Sequence, residues 1–233
     1  MNAWQQLLEG FATNFLLFVV TIVLSLPLGL LITLCTMSKW APFKPLARYT
    51  NKKWVAAWLA DFKPIRAISK TFVWIIRGTP LMLQLMVVLY APGLLFNYPI
   101  SSRMTAAIIA FVVNYAAYFS EIYRGGIESI SVGQYEAGQV LGLTKVQVFF
   151  KIVLFQVIKR ITPPMGNELI TLVKDTSLAR VIGVVEILQN AERFSARGII
   201  WPLFATGLYF LVFTGILSAL LSYAEKKLDY YKG

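Results

Sequence analysis

Histidine is absent from the 233-residue sequence, cysteine occurs once, as Cys35, and charged residues make up only 14%. Without histidine, imidazole acid/base catalysis and His-ligated metal sites drop out, and one cysteine cannot close an internal disulfide. No G-x-x-x-x-G-K-[ST] phosphate loop occurs, so the chain carries no nucleotide engine of that kind. The charge deficit falls on the acids, with 11 Asp and Glu against 22 Lys and Arg, which leaves a net charge of +11. In place of charge stands apolar surface, 58% of all residues, well above an ordinary soluble domain.

Long apolar runs account for that excess. They cover 11–37, 71–95, 104–123, 153–173 and 199–223, each near the ~20 residues that a bilayer-crossing helix needs. The expectation is an all-α polytopic membrane protein of about five spans in a single domain, 1–233, with no room for a large extramembrane domain. The second run carries Arg77 and Gln84, and the fourth carries Lys159, Arg160 and the Pro163-Pro164 pair.

Basic residues mark the cytoplasmic loops. Seventeen of the 22 fall on the side that holds 39–77, 124–160 and the C-terminal tail from Lys226, and five on the other. This places the N-terminus outside and the C-terminus inside. It explains the +11 without nucleic acid, since polybasic juxtamembrane segments face anionic lipid. No charged stretch precedes the first run, so the first span is expected to stay rather than be cleaved.

Two segments read as surface helices. In 52–62, Trp54, Trp58 and Phe62 recur at i, i+4 and i+8 among charged residues, the pattern of an amphipathic helix in the cytoplasmic interface. Between spans three and four, 131–151 is too polar to cross. A helical stretch Tyr135–Leu141 ends at Gly142, suited to a left-handed position, and Thr144 to Gln147 fits a capping box that opens a second short helix. Such a loop is either a plain interfacial connector or a docking element for a cytoplasmic partner.

Tyr135-Glu136-Ala137-Gly138, with Gly142 six residues after Glu136, resembles the EAA loop of ATP-binding-cassette (ABC) importer permeases. The blocks Arg77-Gly78-Thr79-Pro80-Leu81 with Gln84, Glu121 to Ile127, Gly133-Gln134 and Pro164 to Leu178 are similar to its polar amino-acid branch. The likeness spans roughly residues 70 to 190. Gly138 stands where the family has Ala, Phe155 where it usually has Pro, and the 38–70 loop is longer than the family pattern.

The resemblance implies a permease of the bacterial inner membrane that pairs with a second, identical or different, permease. ATPase subunits carrying ATP and Mg would lie beneath it and a substrate-binding protein outside, while this chain itself holds no cofactor, metal or catalytic group. Tyr135, Glu136, Ala137, Gly138 and Gly142 would couple to the ATPase.

Charged groups at membrane depth face a cavity or a partner. Arg77, beside the helix-loosening Gly78, Thr79 and Pro80, could hold an amino-acid carboxylate, or pair with Glu121 or Glu168, or snorkel to the interface. The two prolines are expected to break the fourth run. Beyond them Glu168, Thr171 and Asp175 share a helical face, with Asn167 adjacent. Arg77, Thr79, Gln84, Asn167, Glu168, Thr171 and Asp175 are therefore the expected substrate path for a polar amino acid. An ion-gradient-driven secondary transporter is the alternative, disfavoured because five spans show no internal inverted repeat.

Overall fold

The computed structural model describes residues 2–44, 52, 54, 57 and 61–228, and these contain helices and no strand. In order they are α1 (Ala3–Thr36), α2 (Pro64–Gly78), α3 (Leu81–Phe96), α4 (Arg103–Glu128), α5 (Val132–Val140) and α6 (Lys145–Val148). A π-helical turn, Phe149–Val153, leads into α7 (Leu154–Asp175), then come a 3-10 turn (Thr176–Ile182), α8 (Ile187–Ser195) and α9 (Trp201–Leu228). The amphipathic helix expected over 52–62 lies largely outside the described residues.

α1 shows how a membrane helix inverts the soluble pattern. It packs on α4 through small and polar residues, including Gly29 and Thr33, while Leu16, Val23, Leu30 and Leu34 point outward. Lipid supplies no hydrophobic drive between helices, so close backbone approach and hydrogen bonds hold them together. At Gly29 an added Cβ would sit 3.0 Å from the Ala116 carbonyl, and the Thr33 hydroxyl donates to the Ser120 carbonyl at 3.0 Å. Opposite them α4 presents buried Ala106, Ala107, Ala110, Ala116 and Ala117. α9 joins this pair by an aromatic contact, Phe18 meeting Phe213 edge-on at 5.3 Å.

Among the described residues α1, α4 and α9 are long and apolar enough to cross a membrane. α2 and α3 qualify only together, bent by 109° at their junction. The second apolar run is thus two helices rather than one rod. Pro80 supplies no N–H to continue a helical ladder, and Thr79 and Pro80 are extended. Gln84 braces the corner. Gln84 Nε2 donates to the carbonyls of Ile76 (2.7 Å) and Thr79 (3.1 Å), while its Oε1 accepts from Asn114 Nδ2 at 3.0 Å.

α7 corrects the expected break. It runs unbroken through Pro163 and Pro164, and the irregularity lies upstream in the π turn. The Thr162 hydroxyl adds a bond to the Ile158 carbonyl at 2.7 Å just before the prolines. α7 has the length of a span but carries charge at both ends, and it packs between α4 and α9.

The α5–α6 loop has the expected form. Gly142 is left-handed at φ +73°, and Thr144 and Gln147 cap one another, Gln147 N donating to Thr144 Oγ1 at 3.3 Å and Thr144 N to Gln147 Oε1 at 2.9 Å. Gly138, the departure from Ala, now has a reason. It is buried against α6, where an added Cβ would lie 2.5 Å from Val148 Cγ2.

Candidate translocation site

The bend between α2 and α3, the middle of α4 and the second half of α7 enclose a cavity of about 540 Å³. Arg77, Thr79, Glu168, Thr171 and Asp175 all line it, together with Asn114, Tyr115 and Tyr118 of α4. The positions i, i+3 and i+7 from Glu168 fall on one face of α7 because the prolines leave the helical period intact. Two of the expected path residues lie elsewhere. Gln84 stands behind the wall as the brace of the bend, and Asn167 is exposed and outside the lining.

Arg77 is held from two sides. Its guanidinium carbon lies 5.1 Å from the Tyr118 ring centroid, a cation–π contact, and its Nη1 is 3.6 Å from Glu121 Oε2. Of the partners left open for it, the structure supplies Glu121. That carboxylate is in turn clamped by Arg124, through Nε at 3.0 Å and Nη2 at 2.6 Å, and Arg124 also reaches Glu128 at 2.6 Å. Paired forks of this kind are geometrically strict. Arg77 and Tyr118 also line a second cavity of about 460 Å³ with Lys70, Trp74, Glu121 and Arg124. The Arg77–Tyr118 stack therefore stands between an acidic chamber and a basic one.

In the first chamber Asp175 accepts a hydrogen bond from the Tyr115 hydroxyl at 2.8 Å. Glu168 has no hydrogen bond or ion pair among the described residues, so its carboxylate is available to whatever enters. Two carboxylates thus face one guanidinium that is already engaged. An electrostatic wall of this sign favours cations.

Tyr115, Tyr118 and Asn114 were not singled out from sequence. A count of polar groups inside the third apolar run, applied as strictly as to the second, would have found them. Away from the cavity, the Glu186 carboxylate caps α8, accepting from Leu188 N (2.9 Å) and Gln189 N (2.6 Å). Burial pushes its pKa up, against the pull of those N–H groups, Asn14 and Arg180.

On the loop, Glu136 and Ala137 are exposed, Tyr135 is half-buried and Gly138 is buried, so α5 presents its acidic side outward while its glycine seats it on α6. Val140, Leu141 and Val146 of the same loop are exposed as well.

Residues 54–230 match the family of binding-protein-dependent transport system inner membrane components. An arginine transport system permease protein of Bacillus subtilis is 34% identical over 224 residues, which cover 95% of this chain and 92% of that one. A glutamine transport system permease protein of Escherichia coli is 34% identical over 175 residues, covering 73% of this chain and 77% of that one. Among solved structures, one described as an amino acid ABC transporter with histidines superposes with a TM-score of 0.78 at 28% identity, covering 96% of this chain and 94% of that one. A methionine ABC transporter, at 19% identity and a TM-score of 0.57, shares the fold. The chain belongs to this family: it is a multi-pass permease subunit, the inner membrane component of a binding-protein-dependent ABC transport system.

Proposed function

We propose that the α2–α3 bend, α4 and α7 form one half of the translocation path and that the amino acid passing through carries a cationic side chain. The observation that carries this is the cavity wall, where the carboxylates of Glu168 and Asp175 face the space against the single guanidinium of Arg77, which also neighbours Glu121 and Tyr118. Arg77 approaches Glu121 through one Nη alone, at 3.6 Å, which leaves its other N–H groups to meet the substrate carboxylate. The arginine system of Bacillus subtilis and the transporter solved with histidines support the same choice of substrate.

In this reading the chain crosses the membrane five times, α7 included, with the α8 end outside and the α5–α6 loop in the cytoplasm. The basic residues divide 17 to five in that sense. A second permease subunit completes the path, and an external binding protein delivers the amino acid. ATPase subunits with ATP and Mg receive the α5–α6 loop, where Glu136, Val140, Leu141 and Val146 are all exposed.

Uptake of L-arginine, L-glutamine and L-glutamate in cells with and without this chain tests the substrate. Loss of arginine uptake supports the cation, whereas loss confined to glutamine or glutamate overturns it. Mass spectrometry of what stays bound to the tagged chain in mild detergent tests the assembly. An ATPase subunit in the complex supports it, and a chain that purifies alone while folded overturns it.

A further inference from the structure

The first apolar helix carries one buried amide, Asn14, only 3% exposed and more than one hundred and fifty residues in sequence from each group it bonds. A polar side chain inside an apolar helix persists only when its groups are met. Asn14 is met on every side. Its Nδ2 donates to Thr176 Oγ1 at 2.9 Å and to Glu186 Oε2 at 3.3 Å, and its Oδ1 accepts from Ile187 N at 3.1 Å. Glu186 is fully buried, and the Thr176 hydroxyl donates onward to the Val173 carbonyl at 2.7 Å. One turn before Asn14, Gly10 allows the Ile187 backbone to come against α1, since a Cβ there would meet Ile187 Cα and N at 2.6 Å.

Thr176 is the residue after Asp175. The peptide that joins them is thus pinned from two sides: Asn14 of α1 holds Thr176, and Tyr115 of α4 holds Asp175 inside the cavity. No side chain of α1 lines that cavity. We infer that Asn14 is a positioning residue of the translocation path: acting through Thr176, it fixes the Asp175 carboxylate on the cavity wall and so sets how tightly the transported amino acid is held. A hydrogen bond that served only to join α1 to α8 would need Glu186 and Ile187 alone. The contact with Thr176, which is buried at 1% exposure at the end of α7, is what adds the reach to the cavity.

This inference rests on the proposed reading of the cavity, and the test separates the two. The purified permease–ATPase complex, without external binding protein, is titrated with radiolabelled L-arginine, or with L-glutamine where that binds more tightly, and melted in parallel. Asn14→Leu and Thr176→Val should each weaken binding about tenfold. Thr176→Ser, which keeps the hydroxyl that Asn14 bonds, should bind within about threefold of native. A lowered melting temperature with unchanged binding in both single variants overturns the inference. Thr176→Val, nearly isosteric, decides if Asn14→Leu fails to fold. Asp175→Asn is the control: if it leaves binding unchanged, or the native complex binds neither amino acid, the cavity reading falls. If it weakens binding while Asn14→Leu and Thr176→Val do not, only the positioning role falls.

Discussion

Gly10→Ala adds one methyl group where α1 meets the first turn of α8, and its cost can be worked from distances. The new Cβ would lie 2.6 Å from Ile187 Cα and N and 2.8 Å from the Glu186 carbonyl carbon, against the 3.4 Å at which ordinary contact begins. The obstacle is backbone, so no rotamer change relieves it, and α8 must retreat by about 0.8 Å. The Ile187 N to Asn14 Oδ1 bond would stretch from 3.1 Å to nearly 4 Å, past any useful hydrogen-bond length. The Asn14–Glu186 contact, already 3.3 Å, would go with it. Two buried bonds at about 1 kcal/mol each, plus loosened packing of Leu7 on Ile187 and Ala191, give a loss of about 2–3 kcal/mol. In a chain of this size that corresponds to a fall in melting temperature of roughly 5–10 °C. Trp4 and Trp201, with ring centroids 4.5 Å apart at the same end, make intrinsic fluorescence in detergent a suitable assay. Gly215→Ala, where nothing lies within 4 Å of an added Cβ, is the matched control and should melt no lower than native. A Gly10→Ala protein that melts within about 2 °C of native would refute the close-approach reasoning.

Three further outcomes follow from the geometry. Gln84→Leu strips donors from the Ile76 and Thr79 carbonyls at the 109° bend and should destabilise the protein by about 2–4 kcal/mol; an unaltered melt would mean that the corner does not depend on this brace. Glu136→Arg, on the exposed side of α5, should change stability by less than about 0.5 kcal/mol yet separate ATP hydrolysis from uptake, and coupled uptake at native levels would remove its docking role. Arg77→Ala should lower transport severalfold with the ATPase still bound in pull-down, because Tyr118 loses its cation and Glu121 is left to Arg124 alone at the junction of the two cavities; undiminished transport would assign Arg77 to nothing essential.

Features set by a few neighbouring residues were legible from sequence. The capping box at Thr144, the left-handed Gly142 and the common face of Glu168, Thr171 and Asp175 follow from local geometry that tertiary packing leaves unchanged. Features decided by distant partners were not. Gly78, Thr79 and Pro80 announce a loosened helix, but the size of the bend depends on Gln84 reaching back to Ile76 and across to Asn114. Pro163 and Pro164 announce a break, yet the chain between α4 and α9 is held in helical form on both sides of them. The glycine at 138 reads as a weaker helix former until Val148 occupies the space that alanine would need.

Asn14 and Glu168 pose the same problem to a sequence reader, each being a polar residue within a run meant for lipid. The rule that such residues mark a pathway or a partner holds for both but does not say which. What separates them is whether the bonding capacity of the side chain is used inside the protein. Asn14 has both donors and its acceptor filled and is fixed in place; Glu168 has neither oxygen paired among the described residues and opens on a cavity. An amide matched on all sides gains nothing from a passing solute, because any new bond must first break an old one. An unpaired carboxylate beside an engaged guanidinium has the opposite balance, and a cation entering the cavity would satisfy it without breaking a contact of its own. The position of a polar residue in the sequence therefore flags it, and the filling of its bonds tells a residue that joins helices from one that opens on a cavity.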